Sequence, residues 1–223
     1  MKYYPEVMLR SQETMLRRLG EIVTDCGFYL ARGTALALQL GHLRSVDLDW
    51  FSPSPIEPLA LAADLGGAGI PVDITDTGEG TLHGTADGVK LSFLEYRYPH
   101  LTLPIEWLEC GVQLATLEDL ACMRLSAIGG RGSKKDFIDI FALGRESFTL
   151  DQMLEFYSQK FSVSDLGHTL FALTYFDDAE PEETPEMLWQ IEWDKVKRAI
   201  EGWVQEYTQR KAPPHTGNPG IGP

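Results

Sequence analysis

Apolar and polar positions follow two rhythms along this chain, and the change of rhythm divides it. Met15, Leu16, Leu19, Ile22, Val23 and Cys26 recur at steps of three and four behind Pro5, which predicts a helix over 6–26. "FYLA" (28–31) is a short apolar run of buried-strand length. Gly33-Thr34 opens a small helix, "ALALQLGH", that ends near Gly41. "SVDLDWF" (45–51) alternates as a strand does, and Ser-Pro-Ser-Pro stops it. A helix is expected around 56–65, then the glycine-rich turn "GGAGIP". Strands are expected near 70–75, 81–86 and 88–96, the last two meeting across Asp87-Gly88, a strong hairpin signal.

After about residue 112 the two-residue alternation gives way to helical spacing. Thr116-Leu-Glu-Asp119 is a capping box that opens a helix to about Ile128. "GGRGS" breaks it, and "KKDFIDIFALGRE" begins the next; 150–160 and 165–175 also read as helices. "DDAEPEETPE" (177–186) is an acidic connector in which Asp177 and Asp178 cap and solvate. Trp193, Val196, Ile200, Trp203 and Tyr207 stripe a last helix and read as core. The order predicts an α+β chain: an α/β core over 1–112, a helical C-terminal half over 113–209, and a disordered tail over 210–223. No internal repeat is evident.

At 223 residues, 43% apolar and 23% charged, the composition is that of a globular domain. No apolar run reaches the length of a membrane span, and "MKYYPEVMLRSQETM" lacks the apolar core of a signal peptide. Cys26, Cys110 and Cys122 fit neither a zinc site nor a disulfide framework, so a cytoplasmic, reducing location is expected. A net charge of −14 argues against broad nucleic-acid binding, though it leaves room for RNA at a local basic site.

The chemistry concentrates in Arg32 to Phe51. Asp47 and Asp49 stand at i, i+2, so a strand would point both carboxylates to one face. Like charges held together are costly unless a cation lies between them, and two carboxylates suit Mg²⁺, which completes its shell with substrate phosphates. Gly33 permits close backbone approach, and the amides that follow at a helix start suit phosphate. Phosphate cradle, helix, strand, two carboxylates is an order suited to metal-assisted nucleotide transfer. His42 reads as a helix-end residue at the negative end of the dipole. His83, His100, His168 and His215 form no zinc spacing. "GGRG" (129–132) lacks the Walker pattern and reads as a helix break.

"GTALALQLGHLRSVDLDWFS", "DGVKLSFLEYRYP" (87–99), "ATLEDLACMRLSAIGGRGSKKDFIDIFAL" (115–143) and "LTYFDDAE" (173–180) together resemble the AbiEii/AbiGii-type toxin nucleotidyltransferases of the polymerase-beta-like superfamily. The resemblance spans most of 5–209. It implies a mixed sheet flanked by helices, Mg²⁺ (or Mn²⁺), and a nucleoside triphosphate whose α-phosphate is attacked by an acceptor hydroxyl with release of pyrophosphate. It also implies an RNA, tRNA or protein acceptor and an antitoxin partner. By the resemblance, Gly33 and Thr34 hold phosphate, and Arg44 and Ser45 flank the metal site. Asp47 and Asp49 bind the metal; Lys135 and Asp136 contact nucleotide or act as base. Arg124 stands where many members have lysine; apart from the resemblance, Arg131 in "GGRG" is a candidate phosphate contact. Asp139 reads as structural, capping or pairing with Lys135. Ser92 stands where many members carry a third acid, Glu95 three positions on falls on the other face of a regular strand, and Leu43 replaces a usual arginine. The competing expectations are a non-catalytic nucleotide- or partner-binding protein that keeps the fold, and a transferase that modifies an aminoglycoside or metabolite.

Overall fold

The computed structural model describes residues 2–211. The tail expected to be disordered lies, from residue 212 on, outside them. A 3₁₀ turn at Pro5–Val7 leads into α1 (Arg10–Asp25), later by four residues than the sequence spacing implies, because Pro5 and the extended Leu9 delay the helix. Then come β1 (Tyr29–Leu30), α2 (Arg32–Leu40), β2 (Asp47–Ser52), α3 (Pro58–Gly67), β3 (Asp73–Gly78), β4 (Thr81–Ala86) and β5 (Val89–Glu95). Two strands of three residues, β6 (Ile105–Trp107) and β7 (Val112–Leu114), were not expected. The described helices that follow are α4 (Leu117–Arg131), α5 (Lys134–Glu146), α6 (Leu150–Phe161), α7 (Gly167–Ala172) and α8 (Trp193–Lys211).

The seven strands form one mixed sheet in the order β3-β4-β5-β2-β1-β7-β6. β2 runs parallel to β5 and antiparallel to β1; β3, β4 and β5 form an antiparallel meander. The β4–β5 hairpin turns at Asp87 and Gly88, both at positive φ (48° and 76°), as a tight two-residue turn requires. Leu48 and Trp50 of β2 and Leu91 and Phe93 of β5 are buried on one side of the sheet, where α1 crosses β2, β5 and β7. The other side of the same strands carries Asp47, Asp49, Lys90 and Ser92. That division of faces places the polar site.

Three further details differ from the sequence reading. α4 continues through Gly129 and Gly130 to Arg131, so the break falls at Gly132-Ser133, where Ser133 caps α5 and Asp136 returns the capping bond. Strand β3 begins at Asp73 rather than near 70, because Ile70 is buried beside the end of α3. Asp177 and Asp178 are exposed in a turn and make no capping bond. The α8 stripe packs as expected: Trp193 meets Phe137 and Phe176 at 6.0 and 5.8 Å between ring centroids, and Trp203 stacks on Phe141 at 6.0 Å.

Candidate active site

Strand register aligns the site. Asp47 lies opposite Lys90 of β5 and Asp49 opposite Ser92; one strand further, Lys90 faces Thr85 and Ser92 faces His83 of β4. Residues in register share a face. These side chains therefore line one cleft of about 350 Å³, with Arg32 and Thr75 at its margin. Asp49 keeps only 13% of its side-chain exposure and lies 3.8 Å from Arg32 Nη1. Asp47 Oδ1 is buried and has no hydrogen-bond partner among the described residues.

That orphaned oxygen, beside a second carboxylate on the same face, fits a hard divalent cation. No cluster of three or more His, Cys, Asp or Glu able to hold a metal is found among the described residues. Two protein carboxylates with the rest supplied by phosphates and water is the arrangement Mg²⁺ favours.

The second wall comes from α2 and α5. A β-carbon on Gly33 would stand 2.6 Å from Lys135 Nζ and 3.2 Å from Arg124 Nη2, so the bare glycine is what admits both cations. Lys135 Nζ donates to Ser45 Oγ at 3.1 Å, Ser45 Oγ lies 2.8 Å from Thr34 Oγ1, and Thr34 Oγ1 donates to the Asp47 carbonyl. An ammonium only donates and a carbonyl only accepts, so the chain runs one way: Lys135 to Ser45 to Thr34 to Asp47. The Thr34 hydroxyl is spent in this chain and 1% of the residue is exposed. It positions β2; only its backbone amide, in the first turn of α2, is of use to phosphate.

Behind that wall lies a buried ionic network. Arg124 Nη1 donates to Asp136 Oδ1 at 2.5 Å, and Arg124 Nε lies 2.9 Å from Asp139 Oδ2 at an angle outside hydrogen-bond geometry. Asp136 is further held by the Ser133 amide at 3.1 Å and the Ser133 hydroxyl at 2.7 Å. Asp139 also meets His42 Nε2 at 2.6 Å. Burial opposes the charge on Arg124, but Asp139 and Asp136 outweigh it and raise the pKa. Burial likewise works against the Asp139 carboxylate, yet Arg124 and the His42 hydrogen bond hold it below its ordinary range. His42 is thus a buried partner of Asp139 rather than a helix-end residue, and Asp139 pairs with His42 and Arg124 rather than chiefly with Lys135.

The expected site residues divide. Gly33, Thr34, Ser45, Asp47, Asp49, Arg124 and Lys135 come together around α2 and β2. Asp136 faces an adjoining cavity of about 470 Å³ with Arg124, Tyr96, Phe51 and Glu95. Arg44 turns elsewhere: its Nε pairs with Glu186 at 2.6 Å, and its amide donates to the Glu186 carbonyl. Arg131 is exposed at the end of α4 and lines neither cavity. Arg44 lies in the loop before β2 and Arg131 at the end of α4, placements that residue spacing does not reveal.

Sequence reasoning passed over Arg32. It lines both cavities, its guanidinium lies 5.3 Å from the centroid of the Phe51 ring, and its backbone sits at φ 53°. A non-glycine residue in that region at a cleft is a mark of function, and its only sequence signal is a lone arginine before Gly-Thr. His83 and Lys90 were likewise hidden, since only strand register brings them to Asp47 and Asp49.

One segment ties both walls down. Lys134, next to Lys135, is held by the carbonyls of Glu180 and Glu182, and its amide donates to Glu182 Oε2 at 2.8 Å. The His42 carbonyl accepts the amides of Leu188 and Trp189 at 2.9 and 3.1 Å.

No family model matches the chain. The uncharacterized protein aq_aa25 of Aquifex aeolicus (strain VF5) is 33% identical over 203 residues, covering 90% of this chain and 97% of that protein. The chain belongs to the aq_aa25 family. Among solved structures, this family member is similar to MenT4, a nucleotidyltransferase toxin of Mycobacterium tuberculosis H37Rv, with a TM-score of 0.59, 13% identity, and 90% and 86% of the two chains covered. It is similar to JHP933 of Helicobacter pylori at a TM-score of 0.54 and 16% identity, covering 90% and 91%. The antibiotic-resistance factor ANT(2'')-Ia aligns at 0.50 and 14%, covering 68% and 92%. At such identities the likeness establishes the fold, the α+β polymerase-beta-like nucleotidyltransferase fold. No described helix is long and apolar enough to cross a membrane.

Proposed function

We propose that this chain is a Mg²⁺-dependent nucleotidyltransferase of toxin type that works in the cytoplasm. It moves a nucleoside monophosphate from a triphosphate to a hydroxyl on RNA, tRNA or protein, and releases pyrophosphate. The observation that carries this reading is the pairing of Asp47 and Asp49 on one cleft-facing strand side, opposite Lys135 and Arg124 gathered at Gly33. The fold shared with the MenT4 toxin and the resemblance of "GTALALQLGHLRSVDLDWFS" to AbiEii/AbiGii-type proteins support the toxin type and an antitoxin partner.

Asp47 and Asp49 would hold the metal, which supplies charge neutralisation on the phosphates and on the oxygen that leaves. The chain's own groups do the rest. Lys135, oriented by Ser45, offers an ammonium to the phosphates beside the bare backbone of Gly33. Arg32 reaches from the margin shared by both cavities and can neutralise a phosphate as it now neutralises Asp49. Phe51, Tyr96 and Met123 give the larger cavity an apolar side suited to a nucleobase. Arg124 and Asp136 keep α4 and α5 in place while contributing charge to that cavity.

Incubation with each labelled triphosphate, Mg²⁺ or Mn²⁺ and total tRNA tests the reading. Label transfer that Asp49→Ala abolishes upholds it. Triphosphate binding without transfer in either metal supports a non-catalytic nucleotide-binding protein, the reading favoured by Ser92, a hydroxyl in register with Asp49.

A further inference from the structure

Ser92, in register with Asp49, is not an idle replacement. Its Oγ lies 3.0 Å from His83 Nδ1, and both side chains line the 350 Å³ cleft with Asp47 and Asp49. An imidazole thus occupies the strand next to the one facing the carboxylate pair. In the tautomer whose Nδ1 donates to Ser92 Oγ, the lone pair resides on Nε2, and Nε2 has no hydrogen-bond partner among the described residues. The ring is held at one nitrogen and available at the other.

We propose that His83, positioned by Ser92, is the general base for the acceptor hydroxyl. This rests on the nucleotidyltransferase reading above. As the acceptor oxygen forms its bond to the α-phosphorus, its proton passes to His83 Nε2. The bond from that phosphorus to the bridging oxygen breaks, and pyrophosphate leaves with the electron pair. The imidazolium then returns its proton to water. An imidazole suits this task because it exchanges a proton near neutral pH and needs no metal of its own. The charged groups around it are Asp76, its register partner on β3, Lys90 on β5, and Arg32, Asp47 and Asp49 across the cleft. β5 separates it from the two aspartates, so its role is distinct from theirs.

The full chain is assayed with Mg²⁺ and each of the four triphosphates, with total tRNA or with water alone as acceptor, from about pH 5 to about 9. His83→Gln is expected to lower kcat by about 10²- to 10³-fold, leave triphosphate affinity within about twofold, and remove the acid limb of the rate profile. Adding Ser92→Asp to His83→Gln is expected to restore at least about tenfold by placing a carboxylate in register with Asp49. If His83→Gln fails to give a cooperative melt, Ser92→Ala serves instead and is expected to lower kcat by about tenfold. His83→Gln turnover close to that of the parent, or a uniform fall with the acid limb kept, overturns the role of His83 alone. Binding of triphosphate by the parent with no turnover under any condition overturns the nucleotidyltransferase reading and this role with it.

Discussion

Lys135 and Asp47 are joined through two hydroxyls: the ammonium donates to Ser45 Oγ, and Thr34, next in line, donates to the Asp47 carbonyl. The link sets the cation that would meet phosphate and the strand that would meet metal in one frame. Lys135→Ala is therefore expected to weaken triphosphate binding about 10- to 100-fold, the loss of one charge-assisted contact. Because Lys135 is only partly buried, the melting temperature should move little. Isothermal titration and a thermal melt measure the two effects.

Gly33→Ala tests the same place from the other side. Its β-carbon would lie 2.6 Å from Lys135 Nζ, the far end of a flexible side chain, so the lysine can swing away. Stability should fall by less than about 1 kcal/mol while triphosphate binding drops as far as in Lys135→Ala. The double variant should then be no worse than either single one.

Asp47→Asn and Asp49→Asn should each raise the melting temperature of the metal-free protein slightly, since each relieves repulsion between like charges. The effect is tempered by Arg32, 3.8 Å from Asp49. Mg²⁺ at 100 times its dissociation constant should stabilise the parent by about 2.7 kcal/mol and either variant far less. An equal metal-induced shift in parent and variants removes both carboxylates from the metal site.

Asp139 sets a pH dependence. Its folded pKa is held below the ordinary 3.8. The unfolded chain therefore binds the proton more readily, and stability rises with pH through that interval. The contribution is complete above the unfolded value and is lost as pH falls through the folded one. Asp139→Asn should flatten the stability profile below about pH 5 and cost up to about 3 kcal/mol at neutral pH, because Arg124 loses one of its two buried carboxylate partners and keeps Asp136. Urea melts between about pH 3 and about 7 decide it.

Cysteine reactivity offers a check on the packing. Burial pushes the Cys122 thiol up to about 12 and raises that of Cys110, whereas Cys26 is exposed. A thiol reagent at neutral pH should modify Cys26 quickly and the other two only on unfolding. Fast reaction at Cys122 would mean that α4 is not seated as described.

Much of the fold was legible because its signals are local. Asp87-Gly88 made the hairpin, Thr116 capped α4, and the α8 stripe found its core. β6 and β7 escaped notice because three-residue strands carry no period of their own. In the candidate site, Asp47, Asp49 and Lys135 were readable as residue types that chemistry needs. Arg32 and His83 were not, since one depends on a backbone at positive φ and the other on register across two strands. Arg44 misled for the opposite reason: its neighbour Ser45 turns inward, and its own side chain is claimed by Glu186 far along the chain.

The segment from Glu180 to Trp189 grips Lys134 on one side and His42 and Arg44 on the other. During synthesis this segment leaves the ribosome long after the sheet has appeared. The sheet can form with its two aspartates in register, but α5 and the loop before β2 stay unclamped until more than four-fifths of the chain has emerged. A nascent chain would therefore carry the carboxylates without the assembled pocket. Chains arrested before residue 180 should fail to bind triphosphate even when Leu48 and Trp50 are already shielded.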